Sequence, residues 1–95
     1  MPEITDNTDK SRFEALVDGT LAGFAEYSLA NGIIAFTHTE IFPQFEGQGI
    51  GSKLARGALD QVKEDGTLKV LAVCPFIKGW IQRNTDYMPL LYDAA

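Results

Sequence analysis

Phe42-Pro43-Gln44-Phe45-Glu46-Gly47-Gln48-Gly49-Ile50-Gly51-Ser52-Lys53-Leu54 packs three glycines into five positions, between a strand-like run and a helix-like run. Backbone N–H groups at a helix N-terminus have no partner inside the helix and carry the positive end of its dipole. Glycines that let the backbone approach closely turn such an end into an anion site, and a phosphate group fits it. The segment lacks the Lys-Ser/Thr pair of a P-loop, and Gly47, Gly49 and Gly51 do not match the dinucleotide fingerprint, because Ser52 stands three positions after Gly49. Taken alone, the turn also reads as a loop whose glycines only supply positive φ ahead of a helix.

Upstream of this turn, residues 1–10 read as a loose polar lead-in and residues 11–95 as one domain. Alternation begins at Ser11, and Asp18-Gly19 and Asn31-Gly32 are the dipeptides that favour two-residue type I′ hairpin turns, so a three-stranded antiparallel meander is predicted. With both turns of two residues, Val17 faces Thr20, Phe13 faces Phe24, Ala30 faces Ile33, Tyr27 faces Phe36 and Ala25 faces His38. Leu16, Leu21, Tyr27, Leu29, Ile34, Phe36 and His38 then share one side. Phe13, Val17, Phe24, Thr37 and Thr39 share the other. Both sides carry apolar residues, so both are expected to be covered. Gly23, inside a strand, marks a bulge or a close approach.

Downstream, Ile50, Leu54, Ala55, Ala58, Leu59 and Val62 recur at helical spacing, and Gly66 suits the C-terminal cap. Val70-Leu71-Ala72-Val73 reads as an interior strand covered on both faces, and its arrival after a helix favours parallel pairing. Pro75 fits the first position of a second helix, through about Arg83, with Cys74 at its N-terminus. The tail around Asp86 to Tyr92, broken by Pro89, reads as an irregular segment or short edge strand.

At 95 residues, 45% apolar and 22% charged, the chain has the composition of one ordinary soluble domain. A net charge of −5 disfavours nonspecific binding to nucleic acid or an anionic membrane. No apolar run approaches the roughly 20 residues of a membrane helix, and the acidic N-terminus is unlike a secretory or mitochondrial leader, so a cytoplasmic location is expected. The lone cysteine, Cys74, rules out an intrachain disulfide and a cysteine-clustered metal site.

This order of β-meander, glycine turn, helix, strand and helix resembles the α/β core of the GNAT acetyltransferase superfamily. The acetyl-CoA pyrophosphate loop of that superfamily reads Arg/Gln-x-x-Gly-x-Gly/Ala, and here Glu46-Gly47-Gln48-Gly49-Ile50-Gly51 fills the frame. His38-Thr39, the Gly-x-Gly-Ile-Gly turn and Cys74-Pro75-Phe76 resemble, in series, a compact subfamily of about 90 residues, within the range of single domains. The similarity runs from residue 12 to residue 92. It implies acetyl-CoA as co-substrate, an amine acceptor and a monomer or homodimer, without a metal, nucleic acid or membrane partner. It also places Phe45, Gly47, Gln48, Gly49, Ile50, Gly51 and Ser52 on the coenzyme, with Asn84 and Tyr87 reaching the pantetheine or the thiolate sulfur. Two departures stand out. Glu46 replaces Arg or Gln, and Arg83-Asn84-Thr85-Asp86-Tyr87 lacks the Pro that relatives often carry there.

Acetyl transfer needs a neutral amine, a polarised carbonyl and a proton for the departing thiolate. The resemblance sets Cys74 beside the acetyl group, and a helix N-terminus favours a nucleophilic thiolate, so a covalent route stands beside a direct one. Cys74 equally reads as a small buried hydrophobe. His38 is a candidate general base, since imidazole ordinarily titrates near neutral pH, or else a structural imidazole. Glu40 is a second candidate base, or a solvated rim carboxylate. Trp80 and Phe76 read as core or as a wall of the cofactor channel. A non-catalytic CoA-binding or protein-interaction module is the alternative function.

Overall fold

In a computed structural model, which describes residues 2–92, the chain forms β1 (Glu3–Asn7), β2 (Arg12–Val17), β3 (Thr20–Ala30), β4 (Ile33–Ile41), α1 (Ile50–Asp65), β5 (Lys69–Ala72) and α2 (Pro75–Arg83). The strands make one five-stranded sheet in that order, antiparallel from β1 to β4 and parallel between β4 and β5. Asp18-Gly19 and Asn31-Gly32 have positive φ at both positions, as a type I′ turn requires, and they close the two expected hairpins. The last three positions of the expected domain, 93–95, lie outside the described residues.

The polar lead-in is not loose. Glu3–Asn7 pairs with β2, and its one apolar side chain, Ile4, lies so close to α1 that a Cβ on Gly57 would sit 2.6 Å from Ile4 Cγ1. Gln61 Nε2 donates to the Ile4 carbonyl at 3.1 Å. A polar strand with one buried contact is the composition of a protected sheet edge, which is why it reads as a lead-in from residue types alone.

Two bulges change the register. Ala15 pairs with Gly23 and Leu16 with Leu21, leaving Ala22 as the extra residue of β3. On β4, Glu26 pairs with His38 and Tyr27 with Phe36, leaving Thr37 as the extra residue. Val17–Thr20, Ala30–Ile33 and Tyr27–Phe36 form as expected. Phe13 instead pairs with Ala25, and Ala25 also with Thr39 rather than with His38. Each bulge turns the residues beyond it onto the opposite face. Phe13 therefore joins Tyr27 and Phe36, with ring centroids 5.4 and 6.0 Å away, while His38 leaves that side. Gly23 is a close approach as well, since a Cβ there would meet the Glu40 carbonyl oxygen at 2.5 Å.

Phe13, Tyr27, Ile34, Phe36 and Val70 form one core with the buried faces of α1 and α2. The opposite face of the sheet is not covered as expected. Phe24, Glu26, Ile33 and Ala35 stay half-buried there, and His38 and Glu40 are exposed. The apolar run at β5 also departs from expectation: β5 is an edge strand, with Val70 buried and Leu71 and Val73 39% and 56% exposed. Its outer side meets the tail, where Leu91 forms a parallel bridge to Val70 after a helical turn at Thr85–Leu90.

Candidate functional site

The glycine turn builds an open amide cradle. Gly47 and Gly49 have φ of 83° and 75°, a region L side chains rarely enter, and a Cβ on either would meet nothing within 4 Å. Gly49 is the N-cap of α1, and among the described residues no side chain caps that helix, so its first-turn N–H groups lack a side-chain partner. Phe45 closes a helical turn at Pro43–Phe45 and packs on the core, and Gln48 Nε2 donates to the Gln44 carbonyl at 3.5 Å. These residues fit a diphosphate held by backbone amides.

Gly51 and Ser52 serve packing. A Cβ on Gly51 would lie 3.0 Å from Phe76 Cζ, so this glycine lets the start of α1 meet α2. Ser52 Oγ accepts the indole N–H of buried Trp80 at 2.9 Å, which pins the two helices together beside the cradle. The backbone amides of both residues remain part of the first turn of α1.

Next to the cradle the sheet splits. The Phe36 carbonyl accepts both Val73 N–H, at 3.1 Å, and Cys74 N–H, at 2.8 Å. Beyond Phe36 the pairing of β4 with β5 ends, while residues 38–41 stay paired with β3. This leaves a gap in the hydrogen-bond ladder between that half of β4 and Cys74. Cys74 is buried at the N-cap of α2, with Pro75 behind it, and its Sγ donates to Thr39 Oγ1 at 3.4 Å.

The candidate bases His38 and Glu40 do not stand on the same face of the sheet as Cys74. The Thr37 bulge sends Thr39 to the helix-covered face and the two flanking residues to the open one, where His38 Nε2 and Glu40 Oε1 are 3.4 Å apart. Asn84 and Tyr87 both have partners within the fold. Asn84 caps α2, its Nδ2 donating to the Trp80 carbonyl at 2.8 Å. Tyr87 stacks edge-on against Trp80, donates to Asp60 Oδ1 at 2.6 Å and accepts from Arg56 at 3.2 Å. The hydrogen bond to Asp60, together with burial, raises the Tyr87 pKa above that of an ordinary tyrosine.

Thr39 and the Phe36 carbonyl are site groups that residue types did not single out. Thr39 stands beside a more conspicuous histidine, and only the bulge reveals which of the two faces the thiol. Among the described residues no group of three or more His, Cys, Asp or Glu could hold a metal, and no helix is long and apolar enough to cross a membrane.

Solved structures share this fold. A GCN5-like protein from Staphylococcus aureus aligns over 94% of this chain and 86% of its own, at a TM-score of 0.70 and 24% identity. An acetyltransferase of the GNAT family from Streptococcus pneumoniae gives a TM-score of 0.59 at 15% identity, over 86% of this chain and 54% of its own. Nourseothricin acetyltransferase gives 0.51 at 20% identity, over 90% of this chain and 66% of its own. This chain thus spans about half to two thirds of the two longer proteins. No curated protein is significantly similar in sequence. The family model described as GCN5-related N-acetyl-transferase matches residues 12–90, and with that span covered the chain belongs to the GCN5-related N-acetyltransferase family.

Proposed function

We propose that this chain transfers the acetyl group of acetyl-CoA directly to an amine, in the gap between β4 and Cys74. The single observation that carries this reading is the contact of Cys74 Sγ with Thr39 Oγ1 in that gap, beside an uncapped, glycine-opened helix N-terminus. Bound acetyl-CoA would supply an activated thioester, whose C–S bond breaks as the acceptor N–C bond forms and whose thiolate then takes a proton.

In this reading the amides from Gly47 to Ser52 hold the diphosphate, with Phe45 supporting the turn from behind. Glu46 withholds the side-chain donor that Arg or Gln would give, so the affinity rests on the backbone. Cys74 and Thr39 hold a proton within reach of the gap. His38 and Glu40, paired on the open face of the same strand, would take a proton from an amine arriving on that side.

Direct transfer is favoured over an acetyl-Cys74 route by the surroundings of the thiol. A cysteine nucleophile is most readily activated by a base within hydrogen-bond reach, and the side-chain partner of Cys74 is a threonine hydroxyl, which leaves the N-terminus of α2 alone to favour the thiolate. The same lack of a base beside the thiol supports a second reading, a non-catalytic CoA-binding or interaction module. Following free CoA thiol in mixtures of the protein, acetyl-CoA and a panel of amines separates them: binding without release on any amine leaves the module. Ligand at 100 times Kd should stabilise the fold by about 2.7 kcal/mol, and no thermal shift with CoA rejects both.

A further inference from the structure

We propose that the groove between β1 and the outer face of α1 holds the adenosine end of CoA, with Lys53 on its 3′-phosphate, so that the chain tells CoA from 3′-dephospho-CoA. This inference deepens the coenzyme reading above and rests on it. Lys53, Arg56, Gly57 and Asp60 stand at i, i+3, i+4 and i+7 on α1, so they form one stripe along the helix. Pro2 and Ile4 face that stripe and close a groove of about 350 Å³. β1 is fixed as its wall. Gln61 Nε2 donates to the Ile4 carbonyl at 3.1 Å, and Gly57, having no side chain, lets Ile4 lie against the helix.

One end of the groove meets the cradle. Lys53 N–H is the first to enter the α1 ladder, donating to the Gly49 carbonyl at 3.3 Å, so the amides of Ile50, Gly51 and Ser52 precede the ladder. The Lys53 side chain leaves at the next position, and helical side chains lean toward the N-terminus, which aims it at the cradle. Lys53 has no hydrogen bond or ion pair among the described residues. Arg56, the other cation of the stripe, is engaged: it donates to the Tyr87 hydroxyl at 3.2 Å, and its Cζ lies 5.4 Å from the Trp80 ring centre. A lysine without a partner beside an amide cradle fits a second phosphate. CoA carries one on the ribose next to its diphosphate.

The rest of the groove suits a base. Between its charged ends it is lined by Pro2, Ile4, Gly57 and the aliphatic stem of Arg56, an apolar surface for a purine. At the far end Asp60 Oδ1 accepts from Tyr87 at 2.6 Å. Asp60 Oδ2 has no hydrogen bond among the described residues and can accept from the exocyclic amine of adenine. From Lys53 to Asp60 the helix rises about 10 Å, the scale of a nucleoside with its phosphate.

Calorimetry with CoA and 3′-dephospho-CoA reads the contact directly. The wild-type chain should bind CoA about fivefold more tightly, the upper range for one exposed ion pair, and the difference should shrink as salt is raised. Lys53→Gln should remove the preference without changing the affinity for 3′-dephospho-CoA, and Lys53→Arg should keep it. In an NMR titration adenosine 3′,5′-bisphosphate should shift the backbone amides of Ile4, Gly57 and Asp60, less so in Lys53→Gln. Equal Kd for the two coenzymes in the wild type, a preference that survives in Lys53→Gln, or bisphosphate shifts that bypass these three residues overturns the proposal and leaves the coenzyme reading in place. No heat with either coenzyme would overturn the coenzyme reading itself, and the proposal with it.

Discussion

Cys74 Sγ donates to Thr39 Oγ1 at 3.4 Å, joining two residues 35 positions apart across the gap where β4 and β5 part. The contact makes a test of covalent against direct transfer sharp. Cys74→Ser keeps a donor to Thr39 and Cys74→Ala removes it. Losing one such hydrogen bond is worth about 1 kcal/mol, so direct transfer predicts turnover within about fivefold of wild type for both. An obligatory nucleophile predicts a loss of roughly a millionfold, with acetylated Cys74 visible by mass spectrometry in the wild-type protein.

Gly49 and Gly19 separate coenzyme binding from backbone strain. Both have positive φ, 75° and 80°, and neither has a neighbour within 4 Å of an added Cβ. Alanine at either should cost about 1 to 2 kcal/mol in stability. Only Gly49→Ala disturbs the cradle. It should weaken CoA binding by about tenfold or more, because the amides that face the diphosphate lose their conformation, while Gly19→Ala leaves the affinity unchanged. Calorimetry showing equal Kd for the two variants would remove the cradle from the binding site.

The hairpins, both helices and the parallel β4–β5 pairing were legible because each carries a local signal: Asp-Gly and Asn-Gly turns, helical spacing, Pro75 at a helix start. The bulges at Ala22 and Thr37 carry none. Their cause is tertiary, since they let Phe13 join the buried ring cluster and bring Thr39 to Cys74. A register counted from turn lengths therefore held near the turns and failed beyond each bulge, which is why Thr39 rather than His38 lies on the side of Cys74. The cradle glycines were legible individually, but the roles of Gly51 against Phe76 and Ser52 against Trp80 depend on where α2 lands.

The Trp80–Ser52 bond predicts an asymmetry. Ser52→Ala leaves the indole N–H of a buried tryptophan without its acceptor, which costs about 1 to 3 kcal/mol. Trp80→Phe removes the donor but also vacates core volume against Tyr87, so it should cost more. The double variant should be less destabilised than the sum of the singles by about 1 kcal/mol. Urea denaturation of the four proteins measures this coupling, and strict additivity would mean that the bond contributes nothing to holding α2 on α1.

Two tyrosines make the fold sensitive to alkali. Burial, then the 2.6 Å hydrogen bond to Asp6, raises the pKa of Tyr27, and the bond to Asp60 raises that of Tyr87. In each case the native state holds the phenolic proton more tightly than the unfolded chain, whose tyrosines titrate near 10. The stabilisation is therefore complete below about pH 10 and is lost as pH rises through the raised native values. Tyrosinate absorbance should show two groups ionising late in the native protein and at the ordinary value in denaturant. Tyr27→Phe should remove one late step, flatten the alkaline loss of stability and, by stripping Asp6 of its donor, cost about 1 to 2 kcal/mol at neutral pH. Ordinary ionisation of Tyr27 in the native protein would show that Asp6 does not hold β1 to the core through this hydroxyl.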